Sequence, residues 1–132
     1  MIPKFRVWDD ENKVMWNIER WHIEDEYFDL IEPNKSVVDL NAKRTWRKQM
    51  DTILMQSTGL FDKNSKEIFE GDVVMFHTPQ LTTIGVVVFD KNEACFKVRN
   101  DFGGHHVTVF HTRYFEVIGN IYQNPELLEV KE

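Results

Sequence analysis

His105, His106 and His111 fall within one short stretch, with His77 upstream. Imidazole nitrogens are common zinc ligands, but a site needs them converging within about 2.0–2.2 Å of one point. On an extended strand His105 and His111 share a face yet stand about 20 Å apart, at about 3.3 Å per residue, and His106 points the other way. A metal centre here would require the Gly103-Gly104 region to fold back. The histidines are therefore read as turn or strand-end residues, with no metal and no cofactor expected. Cys95 is the single cysteine. It has no histidine beside it in sequence to activate it, although a partner from a distant segment stays open; a lone cysteine is more often a small buried apolar residue. Glu70 and Asp72 flank Gly71 and read as turn and cap chemistry rather than as an acid–base pair. Gly103-Gly104 lacks the strand–loop–helix setting of a phosphate loop. These readings predict no catalytic residue and no enzyme.

Two other groups have chemistry suited to binding. Lys43, Arg44, Arg47 and Lys48 surround Trp46. Such a cluster can grip phosphates and stack a base, or dock on an acidic surface, including the run Glu24-Asp25-Glu26 of the same chain. The formal net charge of -6 opposes nucleic acid and anionic lipid as bulk partners. Nucleic acid is thus the alternative partner. The four tryptophans, Trp8, Trp16, Trp21 and Trp46, all lie in the N-terminal part, where core periodicity is poorest. Tryptophans left over from a core favour interfaces, so Trp21 and Trp46 are the candidates for a protein interface, including one in a homo-oligomer.

The elements that must position these groups are mostly strands. The 132 residues are 42% hydrophobic and 13% aromatic, enough for a packed core. A single cysteine allows no internal disulfide and fits a reducing compartment. The first residues lack the apolar core of a signal peptide, and no apolar run reaches the roughly 20 residues of a membrane span. These features predict a cytoplasmic protein with no membrane partner.

Phe5-Arg6-Val7-Trp8 and Val14-Met15-Trp16 around a polar Asp/Asn cluster predict a hairpin. Residues 17–50 fit neither the helix nor the strand period; within them Val37-Val38-Asp39-Leu40 reads as a short strand, and 42–50 as a helical turn or an irregular basic loop. Ile53-Leu54-Met55 reads as a strand. Asp62-Lys63-Asn64-Ser65-Lys66 and Glu70-Gly71-Asp72 are turns, with Gly71 placed for positive φ. Strands are then predicted at 73–77, 84–89 (central, with Gly85 marking a bulge or bend), 95–99, 107–110 and 115–122, where Gly119 marks a bend. Asn100-Asp101-Phe102-Gly103-Gly104 reads as a connecting turn. Five short strands at this spacing suit a small barrel.

Three ordered blocks resemble the YopX family, proteins encoded mainly by bacteriophages, prophages and plasmids. They are Lys4-Phe5-Arg6-Val7-Trp8-Asp9; the central stretch Leu54-Met55-Gln56-Ser57-Thr58-Gly59-Leu60, Asp62-Lys63-Asn64 and Ile68-Phe69-Glu70-Gly71-Asp72-Val73-Val74; and the ending Phe115-Glu116-Val117-Ile118-Gly119-Asn120-Ile121-Tyr122-Gln123-Asn124-Pro125-Glu126-Leu127-Leu128. Ser57 stands where an aromatic is expected and Ser65 where Gly is expected, which predicts a looser loop after Asn64. The resemblance implies a β-rich fold whose later part is SH3-like, and no activity. The expectation is a mainly β protein. An N-terminal β-hairpin region over residues 1–56, with a variable segment at 17–50, packs on an SH3-like small β-barrel over 57–132 that ends in a short tail. Its expected role is that of a phage or prophage accessory protein acting by protein–protein contact and self-association.

Overall fold

The computed structural model describes residues 4–77, 82–100, 103–107 and 112–128. The chain is mainly β and forms two compact units, Lys4–Gln56 and Ser57–Glu132.

The first unit holds β1 (Phe5–Asp9), β2 (Val14–His22), β3 (Tyr27–Ile31), β4 (Arg44–Lys48) and the first half of β5 (Thr52–Phe61). All pairings are antiparallel, in the order β4-β3-β2-β1-β5. The predicted hairpin is β1–β2, and it belongs to a larger sheet to which the segment 17–50 contributes the rest of β2, β3 and β4. Residues 42–50 are neither helix nor irregular loop: they form β4 and a 3-10 turn at Gln49–Asp51. Residues 37–40, expected as a strand, lie in turns.

That sheet is strongly curled, as its connectivity requires. β4 and β5 are four strand spacings apart in the order, roughly 19 Å if the sheet were flat. Yet the 3-10 turn Gln49–Asp51 joins them, and the Thr52 N–H bonds the Gln49 carbonyl. Such a turn brings its ends within about 7 Å. Val7, Phe28 and Leu30 sit in the curl with no exposure, and Trp16, Ile18 and Trp21 pack against them.

The second unit begins with the latter half of β5 and β6 (Glu67–Phe69), followed by β7 (Asp72–His77), β8 (Thr82–Asp90), β9 (Cys95–Asn100), β10 (Gly103–His106) and β11 (Phe115–Asn120). Its main sheet runs β10-β9-β8-β7-β11, all antiparallel, with β8 central as expected. The sheet is open: β10 and β11 are its edges, and no ladder among the described residues closes it into a barrel. Ile68 packs on Val74, Val87, Val98 and Phe115 to form the core.

Two glycines have definite tasks. Gly71 adopts φ +85° between β6 and β7, as its turn position predicts. Gly85 marks no bulge, because β8 keeps regular register with both neighbours. A Cβ there would meet Val98 Cγ1 at 2.5 Å and the Arg99 carbonyl oxygen at 3.0 Å, so the position demands close approach of β9. The stretch 103–106, expected as part of a turn and its sequel, is a strand. Residues 108–110 of the expected strand lie outside the described residues.

Candidate functional site

β4 is an edge strand of the first unit, and its backbone polarity follows from its ladder with β3. At the two ends of that ladder the Glu32 N–H bonds the Lys43 carbonyl (3.0 Å) and the Gln49 N–H bonds the Glu26 carbonyl (2.8 Å). Bonded and non-bonded pairs alternate in an antiparallel ladder. Thr45 and Arg47 therefore turn their backbone groups toward β3, whereas Arg44, Trp46 and Lys48 turn theirs to the free edge. The pleat also puts the side chains of Arg44, Trp46 and Lys48 on one face and those of Thr45 and Arg47 on the other.

This alternation divides the basic cluster. Arg44 donates through Nε to both oxygens of Glu19 (3.2 and 3.3 Å), through Nη1 to the Asp39 carbonyl (3.0 Å) and through Nη2 to the Val37 carbonyl (2.7 Å). Arg47 reaches the opposite face and donates through Nε to Asp9 Oδ2 (2.8 Å). Its Nη1 donates to Thr45 Oγ1 (2.9 Å) and to the outward carbonyl of Trp46 (2.7 Å). Asp9 is fully buried and also accepts from the Asn12 N–H and Nδ2. Burial alone would raise the Asp9 carboxyl, but the Asn12 bonds and the Arg47 guanidinium outweigh it and hold the group below its ordinary 3.8. Both arginines are thus engaged by carboxylates. Lys43 and Lys48 carry no ion pair among the described residues.

The two candidate tryptophans occupy different environments. Trp21 packs edge-on to Phe5 (5.7 Å) and against Phe28 (5.2 Å), and its Nε1 donates to Gln49 Oε1 (3.3 Å). It serves the core of the first unit. Trp46 is 57% exposed and touches Tyr27 edge-on at 6.0 Å. Beside it lies a shallow pocket of about 320 Å³ lined by Glu11, Asn12, Trp46, Arg47, Lys48 and Asp51. With carboxylates and cations both present, the pocket is amphoteric with an aromatic wall.

One constellation escaped the sequence reading. His22 Nε2 lies 2.8 Å from Asp29 Oδ2, and the imidazole stacks on Tyr27 at 4.1 Å and 11°. The carboxylate orients the ring and favours one tautomer. Among the described residues no serine, threonine, cysteine or lysine side chain bonds to either group. The signal was the turn at residues 23–26, which sets His22 opposite Tyr27 and diagonal to Asp29.

The remaining candidates are dispersed. Cys95 opens β9 opposite Asp90 and is half-buried. Asp72 is buried and accepts the Phe69 N–H (2.8 Å), which is the cap chemistry expected of that turn. His77 bonds Thr82 Oγ1 through Nδ1 at 2.8 Å. In β10 the backbone of His105 pairs with Val98 and that of His106 with Lys97, while His111 lies outside the described residues. Among the described residues no three of His, Cys, Asp and Glu converge as metal ligands, and no helix is long and apolar enough to cross a membrane.

No curated protein matches the chain. Two solved structures resemble it along nearly its whole length. Protein EF1440 from Enterococcus faecalis is 26% identical with a TM-score of 0.63, covering 97% of this chain and 99% of its own. Protein yopX from Bacillus subtilis is 21% identical with a TM-score of 0.61, covering 98% of both. The likeness to yopX is one of fold. The model of the family described as YopX protein matches residues 4–129, and the chain belongs to the YopX family.

Proposed function

We propose that the protein is a non-enzymatic accessory factor of a phage or prophage that works by protein–protein contact and self-association in the host cytoplasm. The observation that carries the reading is Trp46. It is a large aromatic side chain, 57% exposed, on the face of β4 that also carries Arg44 and Lys48. Large exposed aromatic side chains favour association. The order β10-β9-β8-β7-β11, a meander whose fifth strand returns beside its first, supports reading the second unit as SH3-like but unclosed.

Nucleic-acid binding through residues 43–48 draws less support, because Glu19 and Asp9 already engage Arg44 and Arg47. Self-association by antiparallel pairing of two β4 edges centred on Trp46 would set Arg44 opposite the second copy's Lys48, a like-charge arrangement that disfavours it. Self-association is therefore assigned to the face of β4 rather than its edge.

Sedimentation velocity over a hundredfold concentration range tests the reading, on the wild type and on Trp46→Ala. Association that weakens in the variant is the expected result. A monomer throughout removes self-association. Affinity capture that recovers nucleic acid, abolished by nuclease, would replace the protein-contact reading with the alternative.

A further inference from the structure

The recess beside Trp46 is walled by side chains whose charges cancel and whose bonding capacity is largely unused. Glu11 and Asp51 supply two carboxylates, and Arg47 and Lys48 supply two cations, so the lining carries no net formal charge. Glu11, Lys48 and Asp51 are exposed, and none of the three has an ion pair or a side-chain hydrogen bond among the described residues. Opposite charges thus line one recess without closing it on each other.

The inner wall is fixed in place. Buried Asp9 accepts from Arg47 Nε (2.8 Å), from the Asn12 N–H (3.2 Å) and from Asn12 Nδ2 (3.0 Å), which ties a β4 residue and a turn residue to one carboxylate. Arg47 Nη1 is used by Thr45 and the Trp46 carbonyl, whereas Nη2 makes no bond among the described residues. Asn12 Oδ1 likewise accepts none there. The ring contact of Trp46 is with Tyr27 at 78°, so among the described residues no ring stacks parallel on the 57% exposed indole. A wall fixed in advance lowers the ordering cost of binding.

We infer that this recess binds a neutral, hydroxyl-rich ligand, a sugar ring laid on the Trp46 face. The balance of charge selects the class. A phosphate meets Glu11 and Asp51, a bare cation meets Arg47 and Lys48, and like charges brought together cost binding energy. An apolar ligand strips water from four charged groups and returns no hydrogen bond. A zwitterion brings full charges whose desolvation cancels much of their attraction. A hydroxyl both accepts and donates, so the hydroxyls of one ring can take bonds from Lys48 and Arg47 Nη2 and give them to Glu11, Asp51 and Asn12 Oδ1. The weakly positive C–H face of the same ring suits the negative face of the indole. The volume of about 320 Å³ is at the lower end of the roughly 300–1,000 Å³ of small-ligand sites, which suits a short saccharide. The inference goes beyond protein contact and does not rest on it.

The test is saturation-transfer NMR on the full chain with three neutral trisaccharides, maltotriose, cellotriose and chitotriose, at millimolar concentration. Glucose 6-phosphate, glucosamine and phenylalanine serve as anionic, cationic and zwitterionic controls beside glucose. The expected result is transfer to the ring C–H protons of at least one trisaccharide, lost in Trp46→Ala and retained in Trp46→Phe. Its affinity falls at least tenfold when Glu11→Ala and Asp51→Ala are combined, and the charged controls bind more weakly than glucose. Thermal melting confirms that each variant folds. No transfer to any of the three trisaccharides, transfer indifferent to Trp46→Ala or to the paired alanines, or tighter binding of a charged control than of glucose overturns the inference. If no trisaccharide binds while the wild type still associates in a Trp46-dependent way, the sugar site falls and the self-association reading stands.

Discussion

Asp62 and Val117, 55 residues apart, are joined by a hydrogen bond from the Val117 N–H to Asp62 Oδ2 at 2.9 Å. The other carboxylate oxygen accepts the N–H groups of Asn64 and Lys66, both at 2.8 Å. The loop at 62–66 is thereby made tight, not loose as Ser65 in place of Gly predicts. Ser65 takes a left-handed φ of +65°, and its N–H bonds the Asp62 carbonyl at 3.0 Å. The same loop occupies the outer side of edge strand β11, where the Lys63 N–H bonds the Phe115 carbonyl at 3.0 Å.

Replacing Asp62 by Ala leaves three backbone donors without this acceptor and is expected to lower stability by about 3 kcal/mol, since bonds to a charged acceptor contribute roughly 1.5–3 kcal/mol each before losses to water. Asp62→Asn keeps one acceptor oxygen but sets an NH₂ against one set of donors, with a smaller loss of about 1–2 kcal/mol. Urea unfolding of the two variants measures both. Equal stability of Asp62→Ala and wild type would remove the carboxylate from its organising role.

Gly85→Ala is expected to destabilise by about 1–3 kcal/mol, the usual effect of overpacking, because its Cβ meets Val98 Cγ1 at 2.5 Å and the Arg99 carbonyl oxygen at 3.0 Å. Adding Val98→Ala relieves the first contact but not the second. The double variant should therefore lose less than the two single losses added together. Strict additivity in a thermodynamic cycle would show that the strands do not clash there.

The signals that were legible in the sequence were those with a regular period or a specific turn. Strands β7 and β9, the β1–β2 hairpin and the turn at Gly71 were read correctly because alternation and positive-φ chemistry are local. Residues 17–50 were opaque for an identifiable reason. Between Ile18 and Arg20 the ladder of β2 shifts register, so the core face carries Trp16 and Ile18 and then Trp21. That bulge breaks the period of two, and with it the view of His22 opposite Tyr27. The basic segment was opaque for a different reason. Its composition suggests a free cation cluster, but Glu19 and Asp9, which engage its arginines, lie 25 and 38 residues away. No local reading of residues 43–48 reveals them.

Trp21 and Trp46 should respond oppositely to truncation. Trp21→Ala removes a side chain packed between Phe5 and Phe28 and is expected to cost about 3–5 kcal/mol, as for large aromatic core residues. Trp46→Ala should stay within about 1 kcal/mol in the folded monomer, because the side chain is largely in solvent. Chemical denaturation of both at low protein concentration separates folding from association. An equal large loss at Trp46 would place it in the core.

Asp9 is the buried carboxylate through which pH acts on the first unit, beside the exposed Asp10, which Lys13 and Trp8 also hold below the ordinary value. Its folded carboxyl titrates below the ordinary 3.8, so the stabilisation from its bonds to Asn12 and Arg47 is fully present above about pH 4 to 5. It is lost as the pH falls through the lower folded value, where protonation removes the charge that Arg47 faces. Unfolding free energy should thus decline from pH 5 toward pH 2, and Asp9→Asn should flatten that decline while lowering stability at pH 7. Arg47→Met removes the cation at 2.8 Å and leaves the buried carboxylate to Asn12 alone, with an expected loss of about 1–3 kcal/mol at pH 7. With its partner gone the Asp9 carboxyl titrates higher, so the acid loss begins at higher pH than in the wild type. Denaturation curves at four or five pH values, for the wild type and both variants, check the sign. A decline of the same size and midpoint in Asp9→Asn would assign the acid sensitivity to another carboxylate.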